Sequence, residues 1–337
     1  LLVFTLLLNM QMNTPLKITL IGGGTGSFTL LQDLKKLTPN ITAIVNMSDD
    51  GGSTGALRDE LGALPPGDVR QCLVALSNTP EVRDIFSYRF GGEGPLSGHT
   101  LGNLILSGLE QRYESFNEAL KVASSVLNIT GKVVPVTLDQ HILEMKDGDD
   151  IISGQYLIGN RPINNKDASI KVDPEVKINP EAREAILEAD ILVIAPGNLY
   201  GSLLPALAVE GVNQAIESTS AKVIMVSNLV TKPGQTDNWH VVDYVKKIEN
   251  YIGENQIDTV LYNKDLPSEE LLEKYAADGE FPVSTDPTRF EEVRAECIGK
   301  NLIAKTIATQ DKNDKAIRRT LIRHDGKKVC DVISELN

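Results

Sequence analysis

Cysteine is scarce. Cys72, Cys297 and Cys330 are scattered, odd in number and without Cys-x-x-Cys spacing. That excludes a cysteine-rich zinc module and fits a reducing, cytoplasmic compartment. Positive charge is also short, with 33 Lys and Arg against 46 Asp and Glu and a formal net charge of −13. Nucleic-acid binding needs clustered cations to replace counterions, so nucleic acid is excluded as a partner. Anionic small molecules stay open, because a local pocket of arginines and N–H groups overrides the global sign. Long apolar runs are missing. Leu1–Leu8 (LLVFTLLL) is too short to span a bilayer and lacks the basic residues of a signal peptide, so no membrane partner is expected. The chain starts on Leu, with Met10 and Met12 just upstream of the first apolar strand. Residues 1–16 therefore read as a disordered tail or a misassigned start. Repeats and low-complexity linkers are absent too. What is present is ordinary for a soluble globular protein: 337 residues, 41% hydrophobic and 23% charged. That is enough for one large α/β core or two smaller ones.

The chain is organised around 20–70. Lys17–Ile21 (KITLI) reads as a buried strand, and Gly22, Gly23, Gly24, Thr25 and Gly26 follow as a turn with almost no Cβ atoms to hold a ligand off. From Thr25 to Lys36 the apolar spacing is helical, so N–H groups at that helix start would face a phosphate. The turn is not the usual dinucleotide fingerprint, since Ser27 occupies the third glycine position. It is not a P-loop either, because no Gly-Lys-Ser/Thr follows. A tight structural turn is the alternative. A second turn, Asp49-Asp50-Gly51-Gly52-Ser53-Thr54-Gly55, follows the strand Ile41–Val45, about where a dinucleotide fold keeps its ribose-binding acid. Two adjacent carboxylates there suit a sugar hydroxyl or Mg²⁺. Arg58 and Arg70 are the cations a phosphate would need. Gly67 and Asp68 close the stretch, and Asp68 is placed to cap a helix Val69–Leu76.

Further on, Pro80–Phe90 reads as an amphipathic helix and Gly91–Gly98 as a flexible loop. Leu101–Leu127 reads as one long helix with His99 and Asn103 near its start. If both lie on it they share a face, as ligand contacts or as a helix cap. From Lys132 the period becomes that of strands, and 132–178 is expected to be a small antiparallel insertion with a hairpin at Asp147-Gly148. Glu144, Asp147, Asp149 and Asp150 are read as a solvated face. The strand–helix alternation resumes over 179–337. The strand Asp190–Ala195 ends in the turn Gly197-Asn198-Leu199-Tyr200-Gly201-Ser202, before a helix Leu203–Glu217. Ala221–Ser227 leads to Asn228, Trp239–Ile252 is helical, Ile257–Tyr262 is a strand, and a last helix lies near Lys327–Leu336. Arg318, Arg319 and Arg323 are placed on an exposed strand. The pattern specifies an α/β fold: a parallel sheet with helices on both faces, split into halves 17–131 and 179–337 by the insertion.

The segments IGGGTGSFTLLQDLKK, MSDDGGSTGALRDELGALPPGDVRQCLVAL, GHTLGNLIL, APGNLYGSLLPALAVEGVNQAI and SNLVTKPGQTD, in this order from about Lys17 to Asn263, resemble the bacterial gluconeogenesis factor family. That family is a branch of the 2-phospho-L-lactate transferase superfamily. The resemblance implies a modified Rossmann-like domain, a cytoplasmic location, binding of uridine diphosphate sugars, and a link to cell shape and growth on gluconeogenic carbon. The transferase branch moves a phospholactyl group from a guanosine pyrophosphate donor to a deazaflavin precursor, with Mg²⁺ at acidic residues. Carried over, Gly22–Gly26 should hug the nucleotide, and Asp49 and Asp50 should meet a metal or sugar hydroxyls. Gly67 and Asp68, then Asn198, Tyr200 and Ser202, and Asn228 match the family's other turns, and Gly51, Gly52, Ser53 and Gly197 beside them are further candidate nucleotide or phosphate contacts. Ser53-Thr54-Gly55 and Leu64-Pro65-Pro66 resemble the gluconeogenesis branch rather than the transferase branch, and no deazaflavin pocket is legible. Three functions compete: a UDP-sugar-binding regulator, a Mg²⁺-dependent phosphotransferase and an NAD(P)-using oxidoreductase. The regulator is favoured. A two-fold homodimer is the expected assembly.

Overall fold

The computed structural model describes residues 15–163, 165, 167–305 and 321–336. The first half runs β1 (Ile18–Gly22), α1 (Gly24–Leu37), β2 (Ile41–Val45), α2 (Gly52–Leu61), α3 (Gly67–Leu76), α4 (Pro80–Ser87), α5 (Leu101–Tyr113), α6 (Phe116–Leu127) and β3 (Lys132–Pro135). An insertion follows: β4 (Ile142–Asp147), β5 (Asp150–Ser153), α7 (Gln155–Asn160) and β6 (Ser169–Asp173). The second half holds α8 (Pro180–Leu187), β7 (Ile191–Ile194), a π-helical turn Leu199–Leu203, α9 (Leu204–Leu207), α10 (Val212–Ser218) and β8 (Lys222–Val226). It continues through α11 (Val241–Ile252), β9 (Thr259–Asn263), α12 (Glu269–Ala276), β10 (Glu296–Lys300) and α13 (Gly326–Glu335).

Seven strands form one sheet in the order β10-β9-β8-β7-β1-β2-β3, with every pair parallel. The strand sequences explain this. ITLIG in β1 and ILVI in β7 are continuous apolar runs, and every residue of both is buried, as strands covered on both faces must be. Two groups of helices supply that cover: α1, α3 and α13 with α5 and α6, and α8, α10 and α11. The chain leaves β1 toward β2 and returns to its other side as β7, so the loops after these strands part and open a crevice at their C-terminal ends.

Four differences from the sequence expectations have local causes. Lys132–Pro135 is not antiparallel but the edge strand of the parallel sheet, with Thr42 opposite Lys132, so the antiparallel part of 132–178 is β4–β6. The single helix expected over Leu101–Leu127 is two. Glu114 turns left-handed at φ 52°, and Ser115 starts α6 by accepting the Glu118 N–H at 3.3 Å. The helix expected over Leu203–Glu217 is broken, because Gly211 at φ 98° starts α10 afresh. Asp147 is buried rather than solvated and accepts the Asn165 N–H at 2.8 Å, although its hairpin turn with Gly148 stands as expected. Residues 1–14, Arg318 and Arg319 lie outside the described residues.

Candidate functional site

The loops after β1, β2 and β7 bring together most of the candidate residues. Gly23 precedes α1 in extended conformation, and Gly24 opens the helix at φ 64°. Thr25 is exposed in the first turn and Gly26 lies against Pro196 after β7. The first N–H of α1, on Gly24, already has an anion: it donates to Asp68. Asp68 therefore does not cap its own helix, as the sequence suggested. Pro66 is the N-cap of α3, and Asp68 reaches from the first turn across to α1. A Cβ on Gly23 would lie 2.3 Å from Asp68 Oδ2, which explains glycine there.

Asp49 is the second carboxylate of this pair. Its Oδ1 accepts the Gly51 N–H at 3.1 Å, and Thr54 donates its hydroxyl. Gly67 makes room, since a Cβ there would meet Asp49 Oδ2 and Thr54 Oγ1 at 2.7 Å. Burial pushes the Asp49 carboxyl up, against the N–H of Gly51 and the hydroxyl of Thr54. Burial first, and the Asp49 charge second, push Asp68 up to about 7, although the Gly24 N–H and Arg70 oppose this.

Asp50, expected to meet a metal or sugar hydroxyls, is engaged by the backbone of the insertion. Its two oxygens accept the N–H groups of Tyr156 and Gln155, at 2.7 and 2.8 Å, so it anchors the N-terminus of α7 from the insertion. Gln155 also donates Nε2 to the Gly201 carbonyl at 2.9 Å, tying the insertion to the turn after β7. Sequence reasoning misses Gln155 because nothing local marks it. Thr54 is legible as part of the second turn, but no spacing there assigns its hydroxyl to Asp49.

Arg58 and Arg70 part company. Arg58 donates Nη2 to the His141 carbonyl at 2.7 Å, and so braces the chain entering β4. His141 is itself buried, with Nε2 2.8 Å from Ser48 Oγ and Nδ1 3.1 Å from the Asp139 carbonyl. Burial holds its ring below the usual imidazole range, so it is neutral near pH 7. Arg70 is half-buried beside Asp68, and burial together with neighbouring Arg89 lowers it to about 10, still a cation at neutral pH.

From Arg70 a polar relay runs to the mouth of the crevice. Arg70 Nε donates to Asn103 Oδ1 at 2.9 Å, which fixes the amide so that Nδ2 donates to Ser53 Oγ at 3.3 Å. The Ser53 hydroxyl in turn lies within hydrogen-bond distance of His99 Nδ1, at 3.0 Å. His99 and Asn103 do meet, but through Ser53. The helix begins after both His99 and its N-cap Thr100, whose hydroxyl accepts the Asn103 N–H. Arg70→Met is expected to cost about 1–3 kcal/mol in denaturant titrations, since the Asn103 carbonyl loses its donor. Arg70→Met with Asn103→Leu should recover part of that; two fully additive losses would show that the pair is uncoupled.

After β7, Asn228 clamps the backbone of one residue by accepting the Gly197 N–H at 3.0 Å and donating to the Gly197 carbonyl at 2.8 Å. Asn198 accepts the Gly201 N–H at 3.2 Å and opens the π-helical turn, in which the Ser202 N–H returns to the Asn198 carbonyl. Both asparagines shape the loop that faces Gly26. Tyr200 does not join them. It is 1% exposed, points its ring at Lys247 with Nζ 5.7 Å from the centroid, and belongs to the packing between the insertion and α11.

Three comparisons with known proteins place the chain among its relatives. The model of the family "2-phospho-L-lactate transferase CofD" matches residues 18–303. A Listeria innocua protein named gluconeogenesis factor is 39% identical over 330 residues, 96% of each chain. One of the same name from Bacillus subtilis is 39% identical over 324 residues, 95% of this chain and 98% of that one. A crystal structure of a Bacillus halodurans protein superposes with a TM-score of 0.87 at 35% identity, covering 95% of this chain and all of that one. The family match and the near-full-length relatives show that this chain belongs to the 2-phospho-L-lactate transferase CofD family, among the relatives called gluconeogenesis factors.

Proposed function

We propose that the crevice at the β1/β7 switch point binds a uridine diphosphate sugar, and that the chain is a cytoplasmic regulator of cell-wall metabolism and cell shape during gluconeogenic growth. The observation that carries the binding reading is the convergence of two kinds of group on one crevice. The start of α1 beyond the Gly24 N–H held by Asp68 offers backbone N–H groups, and the Arg70–Asn103–Ser53–His99 relay adds a half-buried cation and an imidazole. Phosphates suit the first set and sugar or ribose hydroxyls the second. The physiological part rests on the family resemblance and on the name its relatives carry. No helix among the described residues is long and apolar enough to cross a membrane.

Thermal melts with UDP-glucose, UMP and NAD⁺ test this. UDP-glucose at a hundredfold excess over Kd should stabilise by about 2.7 kcal/mol, and more than either other ligand. Equal or greater stabilisation by NAD⁺ would favour an oxidoreductase instead.

A second reading, a Mg²⁺-dependent transferase of phosphorus-containing groups, has one observation in its favour. Asp49 and Asp68 repel each other in a poorly hydrated site, and hard oxygen donors whose ionised forms are disfavoured are what a divalent cation would stabilise. On this reading Mg²⁺ would sit on Asp49 and Asp68, while the oxygens of Asp50 are engaged by the N–H groups of α7. The ion would supply charge neutralisation at a bound diphosphate. Arg70 and the α1 N–H groups would orient that diphosphate.

A further inference from the structure

We propose that Tyr156 is the platform on which the base of the bound nucleotide stacks, and that Asp50 serves to hold it there; this deepens the nucleotide reading above and rests on it. Tyr156 is 59% exposed, more than any other aromatic residue described. An exposed ring on a structural helix is unremarkable when the helix is long and its other face is buried. Here α7 has only six residues, too few to hold a helical turn without outside support. The support is polar and aimed at the backbone of this one residue and its neighbour: Asp50 takes both N–H groups, and the Gln155 side chain is fastened to Gly201.

The place matters as much as the hold. Tyr156 Cδ2 lies 3.5 Å from where a Cβ on Gly51 would be, so the ring edge overhangs the glycine turn after β2. Gly52, next to it, has open space where its own Cβ would point. In a doubly wound sheet the phosphates lie at the start of the helix after β1, and the nucleoside extends toward the end of β2. An accessible aromatic face at the end of β2, beside a turn without side chains, matches a planar base. The insertion, which interrupts the nucleotide-binding sheet, thereby contributes directly to its ligand. Asp50 becomes a positioning residue, acting through Tyr156.

The test is calorimetric titration of wild type, Tyr156→Phe, Tyr156→Ala and Asp50→Asn with UDP and with 5,6-dihydro-UDP. The second ligand keeps the hydrogen-bonding edge but has a saturated, non-aromatic base. Wild type and Tyr156→Phe are expected to bind UDP about tenfold more tightly than the dihydro form, as a single stacked base provides. Tyr156→Ala should lose about tenfold on UDP and little on the dihydro form, with an unchanged melting temperature because the ring is exposed. Asp50→Asn, with one acceptor oxygen for two N–H groups, should lose discrimination in the same direction while the tyrosine remains. UDP binding by Tyr156→Ala equal to wild type, or undiminished discrimination between the two ligands, overturns the platform alone. No binding of UDP by the wild type overturns the uridine nucleotide reading and the platform with it.

Discussion

In metal-free buffer, Asp68→Asn is expected to be more stable than wild type by about 2–4 kcal/mol near pH 8, and nearly equal to it near pH 4. The sign follows from which state holds the proton more tightly. The Asp68 carboxyl titrates at about 7 in the folded chain and at 3.8 in the unfolded one. Between those values the folded state holds the extra proton, so stability is greatest below the lower value. It falls as pH rises through the interval, and the loss is complete above about 7. A tenfold difference in proton affinity between the two states is worth about 1.4 kcal/mol, and the lower end of the range allows for the half-buried setting and the charge shared with Asp49. Asparagine keeps an oxygen for the Gly24 N–H and removes the charge. Denaturant titrations across this pH range, in EDTA, read the difference directly. Added Mg²⁺ should restore stability to the wild type at pH 8 and do little for the variant, if the cation sits between the carboxylates. Parallel pH curves for the two proteins would show that Asp68 keeps its ordinary acidity.

Gly26→Ala is expected to destabilise the fold by about 3 kcal/mol and, on the nucleotide-sugar reading proposed above, to abolish binding of UDP-glucose. An added Cβ would lie 1.8 Å from the Pro196 carbonyl oxygen and 2.8 Å from its carbon. Both are backbone atoms, so no rotamer change relieves the clash. The loops after β1 and β7 would have to part, and they form the two walls of the crevice. Gly108→Ala is the control: it lies in α5 with nothing within 4 Å of the new methyl, and should stabilise by about 0.5–1 kcal/mol. Chemical denaturation and calorimetry of the pair check both claims. A Gly26→Ala protein as stable as wild type would mean that the two loops are free to move apart.

What was legible in the sequence came from local patterns. Continuous apolar runs such as KITLI and DILVIA mark strands buried on both faces, and their alternation with helical spacing makes the sheet parallel whatever its partners. Glycine turns at the ends of those runs mark the crevice, because ligands in such sheets bind beyond the strands' carboxyl ends. The 132–178 boundary was less legible. KVVP carries the same β-branched signal whether it pairs with β2 or with the insertion, and only pairing decides which.

The roles inside the site were decided by tertiary structure alone. Asp49 and Asp50 are neighbours of one residue type, yet one faces Asp68 across Gly67 while the other binds backbone groups 105 and 106 positions away. Arg58 and Arg70 looked equivalent as cations, but they lie on different helices, and only Arg70 joins Asn103 and Asp68. Tyr200 sits in a turn full of site residues but is drawn inward by the packing of α11 and the insertion. Local sequence fixes the backbone's period and hence where the loops emerge. It carries no record of which distant segment will meet a side chain, because that depends on the path of an insertion and on a sheet order that brings β7 beside β1.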